Sequence, residues 1–134
     1  MSTIKISAAR IDLGDNRLDQ AILKDYAETK TAPAISAGTL TLDLSTGNVF
    51  EVALNAAIST LTISNPSPTG NACSFTLVLT ADGTPRTVAW GGSVSWAGGV
   101  SPTLTSTNGK KDFFTFYTSN AGTNWYGFTA GQNF

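Results

Sequence analysis

From Thr39 onward, apolar and polar residues alternate with a period of two. Leu40, Leu42 and Leu44 stand against Thr39, Thr41 and Asp43, and after the polar residues 45–48 the alternation resumes with Phe50, Val52 and Leu54 against Glu51 and Ala53. Two such runs joined by a short polar turn predict a β-hairpin with one half-solvated face. Residues 58–64 form the next expected strand, with Leu61 and Ile63 inward; Pro66 and Pro68 end it, because two prolines so close cannot sit in a central ladder. Residues 72–80 follow, with Cys73, Phe75, Leu77 and Leu79 on one face. The Asp82-Gly83-Thr84-Pro85 turn leads to a strand at 86–90, Gly91 and Gly92 allow a bend, and Val94 and Trp96 share one side of another short strand. A strand at 103–107 is expected to turn tightly at Asn108-Gly109. Residues 110–128 then read as a second hairpin, two alternating runs separated by a polar turn at 119–124, and hold seven of the thirteen aromatic residues.

Seven to nine short strands at this spacing predict an all-β domain, a β-sandwich or a jelly-roll-like barrel, and leave the strand order open.

Residues 1–38 have a different texture and are expected to form an N-terminal arm and linker ahead of a β domain at 39–134. Residues 1–35 hold ten of the seventeen charges and no Trp or Phe. Ile4 and Ile6, then Ile11 and Leu13, alternate briefly. Residues 16–28 read as a short helix, with Asn16 as N-cap and Asp19 at the third helical position. On that helix Leu18, Ala21, Ile22 and Tyr26 share a face. So short a helix is marginal alone, so its apolar stripe must dock on the chain's own domain or on a neighbouring subunit. Ile4, Ile6, Ile11, Leu13, Leu18 and Ile22 are the candidate interface residues.

Charge and composition narrow the chemistry. Of 134 residues only 13% are charged, the formal net charge is -1, and the Lys and Arg residues are scattered, which gives no footprint for a phosphate backbone. Nucleic acid is not an expected partner. The leading residues lack an apolar run of signal-peptide type, and no stretch approaches the roughly 20 apolar residues of a spanning helix, so neither secretion nor a membrane is expected. With no histidine in the chain, Ser-His-Asp, Cys-His and His-containing metal sites are excluded. Cys73 has no intrachain partner and reads as a small core residue. The only acids of the β region are Asp43, Glu51, Asp82 and Asp112. Asp43 and Glu51 could approach across the first expected hairpin as a glycosidase-like pair, although solvated strand charges explain the two more simply. Segments 12–16 and 82–84 carry oxygen donors without the spacing of a calcium loop. No catalytic residue, metal or cofactor is expected. Trp90 and Trp96 are expected to pack in the core or at a sheet edge. Trp96, Tyr117, Trp125 and Tyr126 are the candidates for contact with carbohydrate or a partner.

The segments Leu42-Asp43-Leu44-Ser45-Thr46-Gly47-Asn48-Val49-Phe50, Ile63-Ser64-Asn65-Pro66, Ser74-Phe75-Thr76-Leu77, Val88-Ala89-Trp90 with Val94-Ser95-Trp96, Phe114-Thr115-Phe116-Tyr117 and Gly122-Thr123-Asn124-Trp125-Tyr126-Gly127-Phe128 occur in that order. Together, over residues 39–134, they resemble a β module recurrent in virion structural proteins of tailed bacteriophages, of tail-fibre or head-decoration type. The resemblance implies an oligomeric protein without enzymatic activity. The chain lacks the long shaft and repeats of a fibre, which favours a capsid decoration or cement protein. Such a protein would sit on the outer surface of the head after assembly in the host bacterial cytoplasm, with the major capsid protein and copies of itself, as dimer or trimer, for partners. A short tail fibre or head spike that recognises host glycan is the alternative.

Overall fold

The structure, a computed structural model, describes residues 18–134. Among these there are eight strands and no α-helix: β1 (Lys30–Thr31), β2 (Thr39–Asp43), β3 (Val49–Leu54), β4 (Thr60–Ser64), β5 (Cys73–Ala81), β6 (Val94–Trp96), β7 (Lys111–Thr118) and β8 (Trp125–Gly131). They make a six-stranded mixed sheet of order β1-β3-β5-β7-β8-β6 and a two-stranded sheet, β2-β4. The all-β expectation holds. A six-strand sheet faced by a two-strand parallel sheet is not clearly a jelly roll.

The first five strands alternate between the two sheets. β1, β3 and β5 run parallel side by side, and β2 and β4 run parallel in the smaller sheet. The chain therefore coils, crossing from one layer to the other at each turn. This corrects the first expected hairpin, since β2 pairs with β4 in the register Leu40↔Leu61 and Leu42↔Ile63, while β3 pairs with β1 and β5. Alternation reports which side of a strand is buried and is silent about its partner. Leu40 and Leu42 from β2, and Phe50, Val52 and Leu54 from β3, are all buried, facing each other across two layers. An in-plane hairpin with one covered face would show the same pattern.

The second expected hairpin is present. β7 and β8 pair antiparallel, with Phe116 opposite Gly127 and Tyr117 opposite Tyr126. Within the 119–124 turn, the buried Thr118 hydroxyl accepts the Asn120 and Gly122 N–H groups, and Asn120 Oδ1 accepts that of Asn124. Gly122 has φ 74°, and a Cβ there would come within 3.1 Å of Pro66 and 3.2 Å of Trp125 Nε1, so both conformation and space call for glycine.

Residues 82–110 make less regular structure than the pattern suggests. The expected strand at 86–90 is reduced to one parallel bridge, Val88 to Ile58, and that at 103–107 is irregular. Both still contribute to packing: Trp90 is buried, and Val88 and Leu104 lie against the core. Trp90 packs against Trp96 of β6 and against Phe114 and Phe116 of β7. The core is rich in aromatic contacts, with Phe75 stacked on Phe116 at 4.9 Å and edge-on to Trp125 at 5.2 Å.

Candidate binding surfaces

The arm reaches the domain through a compact set of contacts. The carbonyl oxygen of Thr29 accepts the N–H groups of Asn48 and Val49, each at 3.2 Å, and Asn48 Nδ2 donates to Glu28 Oε1 at 2.9 Å. One residue further, Lys30 and Thr31 form β1 along β3. Lys30 Nζ lies 2.8 Å from Glu51 Oε2, and Lys111 Nζ lies 2.6 Å from the other carboxylate oxygen. Flanked by these two ammonium groups, Lys111 first and then Lys30, the Glu51 carboxyl is pulled from its ordinary 4.5 to about 2. Residues 31–38 are correspondingly not a free linker, since Ile35 packs against the core and Ser36 bridges to Thr39.

Beyond this anchor the chain leaves the domain. The described part of the expected helix, residues 18–28, is not helical, with a turn at Asp19-Gln20 where Gln20 takes φ 55°. A short helix whose apolar face stays exposed cannot offset its nucleation cost. Leu18, Ile22, Leu23 and Tyr26 are 65–95% exposed. Of the candidate interface residues, Leu18 and Ile22 therefore lie uncovered by their own domain, while Ile4, Ile6, Ile11 and Leu13 fall outside the described residues.

The four aromatic candidates divide. Trp125 is 1% exposed and belongs to the core, which removes it as a contact for any partner. Trp96 is partly buried, edge-to-face with Trp90, Phe114 and Phe116 at 4.9–5.9 Å. Its buried Nε1 has no hydrogen-bond partner. Tyr117 and Tyr126 are exposed cross-strand neighbours on the outer face of the large sheet. Phe128, missed as a candidate, is exposed on the same face; its parity with Tyr126 was the available signal. The face continues into a cleft of about 480 Å³ lined by Gly109, Lys111, Phe113, Ala130 and Phe134. Phe134 stands edge-on to Phe113 at 5.4 Å and lies over Gly131, where any Cβ would meet its ring.

The acids do not converge. Asp43 ends β2 in the small sheet and accepts Asn65 Nδ2 at 2.8 Å and the Ser45 N–H and hydroxyl at 2.9 and 2.7 Å. These bonds, Asn65 first, hold its carboxyl below the usual range. Asp43 and Glu51 thus sit on different sheets with separate partners, and neither is raised as a general acid requires. Asp82 pairs with Arg86 at 2.6 Å and caps its turn through the Thr84 N–H. The Arg86 guanidinium, foremost, lowers its pKa. Asp112 differs from the other three acids of the β region. It is buried and accepts Thr105 N–H at 2.7 Å, Gln132 Nε2 at 3.1 Å and Asn133 N–H at 3.1 Å. Its even parity with Phe114 and Phe116 already placed it on the inner face.

Cys73 is partly buried, its sulfur accepting the Ser67 N–H at 3.4 Å. Among the described residues no group of three or more His, Cys, Asp or Glu side chains converges, and no helix is long and apolar enough to cross a membrane. No protein-family model, curated protein or solved structure matches the chain.

Proposed function

We propose that this chain is a structural protein of a tailed-bacteriophage virion, a decoration or cement protein without a reaction of its own. In this reading it binds the outer capsid through its N-terminal arm and stabilises the head. The observation that carries the reading is the arm itself: a segment fixed to the domain at Glu28–Thr31 that holds Leu18, Ile22, Leu23 and Tyr26 away from it in water. Four large apolar side chains left bare on one short segment suit a protein whose partner supplies the missing cover. A rigid β domain with an adhesive arm gains from repetition, because many weak contacts over a symmetric shell add to firm attachment. The segments quoted above supply the virion context, and Ile4, Ile6, Ile11 and Leu13 extend the adhesive stretch.

Gold-labelled antibody against the chain, applied to intact particles, tests the reading. Label over the whole head is expected; label on the tail alone, or none on the particle, would sink it. The second reading, a short fibre or spike that binds host carbohydrate, is favoured by one observation, the exposed Tyr117–Tyr126 pair flanked in register by Ser74 and Ser95. Aromatic rings beside hydroxyls suit sugar faces and edges. A glycan array answers it, and no binding at millimolar sugar removes it.

A further inference from the structure

Among the described residues, two clusters of large apolar side chains stay exposed. One is the arm at 18–26. The other is the outer face of the β7–β8 hairpin, where Tyr117, Tyr126 and Phe128 are 40–55% exposed and lead into the Phe113–Phe134 cleft. Lys30, Val49, Thr76, Thr115 and Phe128 are register partners in one row across the large sheet, so the arm's base and the bare face are four strands apart. That is about 19 Å at the usual strand spacing. Residues 18–29 could span it within their own chain, at roughly 3.3 Å per residue, but they do not: both surfaces remain exposed.

From this we infer that the arm of one copy lies on the outer sheet face of a second copy. The inference gives residues 18–26 to a second copy, so the proposed attachment to a capsid would then be made by the assembled copies, and solution mass without capsid separates the two. The sizes match a specific interface. At about 200 Å² for each large side chain, the exposed fractions amount to about 600 Å² on the arm and about 400 Å² on the face with Phe134 included. One arm-on-face contact removes on the order of 1,000 Å², and a reciprocal pair about 2,000 Å², the upper end of a standard protein interface. The charge pattern agrees. The register neighbours of Tyr126 and Phe128, namely Ser95, Tyr117 and Thr115, are uncharged, and Lys111 at the cleft is paired with Glu51, which leaves this strip to apolar contact. The cleft beside Phe134 is large enough to seat an aliphatic or aromatic side chain of the incoming arm.

The test is solution mass by light scattering on the full chain and on two exposed-site variants, Ile22→Asp in the arm and Tyr126→Lys on the face. Both positions are open in the single chain, so circular dichroism is expected to report the wild-type fold in each. The wild type is expected to run as a dimer or larger closed assembly, and each variant alone as a monomer. Mixing the two variants is expected to restore a heterodimer, because one chain still offers its face and the other its arm. A monomeric wild type, an assembly unmoved by either variant, or a mixture that stays monomeric overturns the inference. A wild type that is monomeric but binds glycan would give the face to sugar instead.

Discussion

Asp112 shows how much one residue can organise here. Its carboxylate takes N–H groups from the irregular 103–105 segment and from the C-terminal Gln132 and Asn133, joining two loops to the inner side of β7. Removing it takes the acceptor from the part-buried Thr105 and Asn133 N–H groups and leaves a space on the inner side of β7, which is costlier than losing the bonds alone. Asp112→Ala is expected to lower stability by about 3 kcal/mol, read as a shift in the urea midpoint, with Asp112→Asn recovering part of the loss. Glu51 works differently, because its two lysine partners are in water and screened by salt. Its folded pKa is lowered, so its contribution is present above the ordinary 4.5 and lost as pH falls through about 2. The stability difference between wild type and Glu51→Gln is therefore expected to be flat near neutral pH, to shrink below 4.5, and to be smaller in high salt.

At the scale of elements, the β7–β8 hairpin and the β2–β3 turn teach opposite lessons. The hairpin depends on its turn: Gly122→Ala would impose a Cβ on a left-handed residue already in contact distance of Pro66 and Trp125. A loss of roughly 1–2 kcal/mol is expected, visible as a lower thermal midpoint, and an unchanged midpoint would show that the turn relaxes freely. This hairpin was legible in the sequence because a polar turn of defined chemistry joins two runs whose parity assigns every side chain. Phe114, Phe116 and Trp125 go inward, and Tyr117, Tyr126 and Phe128 outward. At β2–β3 the parity was equally clear and the pairing was not, because a turn within one sheet and a crossing between two sheets bury the same alternate residues. The strands expected at 86–90 and 103–107 carried the right apolar residues for packing, and Val88, Trp90 and Leu104 do pack. Their backbones lack a neighbouring strand along their length, a long-range fact that local pattern does not hold. The arm's helix failed for a related reason: its stripe was amphipathic, but an amphipathic stripe folds only when something covers it.

The whole molecule is a two-layer β domain with an arm anchored at one edge of its larger sheet, and its functional account rests on the division of labour between them. Of the candidate surfaces, the arm was visible through its charge and apolar stripe, and the tyrosines only as part of an aromatic cluster whose faces were not separated. Trp125 was misassigned, because an aromatic two residues from an exposed one in a strand shares its face, whereas one next to it does not. Since Glu28 and Lys30 are bonded to Asn48 and Glu51, the anchor on the domain begins at residue 28. The most direct measurement compares the full chain with a variant lacking residues 1–27, by thermal unfolding and by co-sedimentation with phage heads stripped of this protein. The account predicts a truncated chain that keeps a cooperative unfolding transition, lowered only by the loss of arm-mediated self-association, and that no longer sediments with the heads. A truncated chain that still co-sediments, or one that no longer folds, would contradict it.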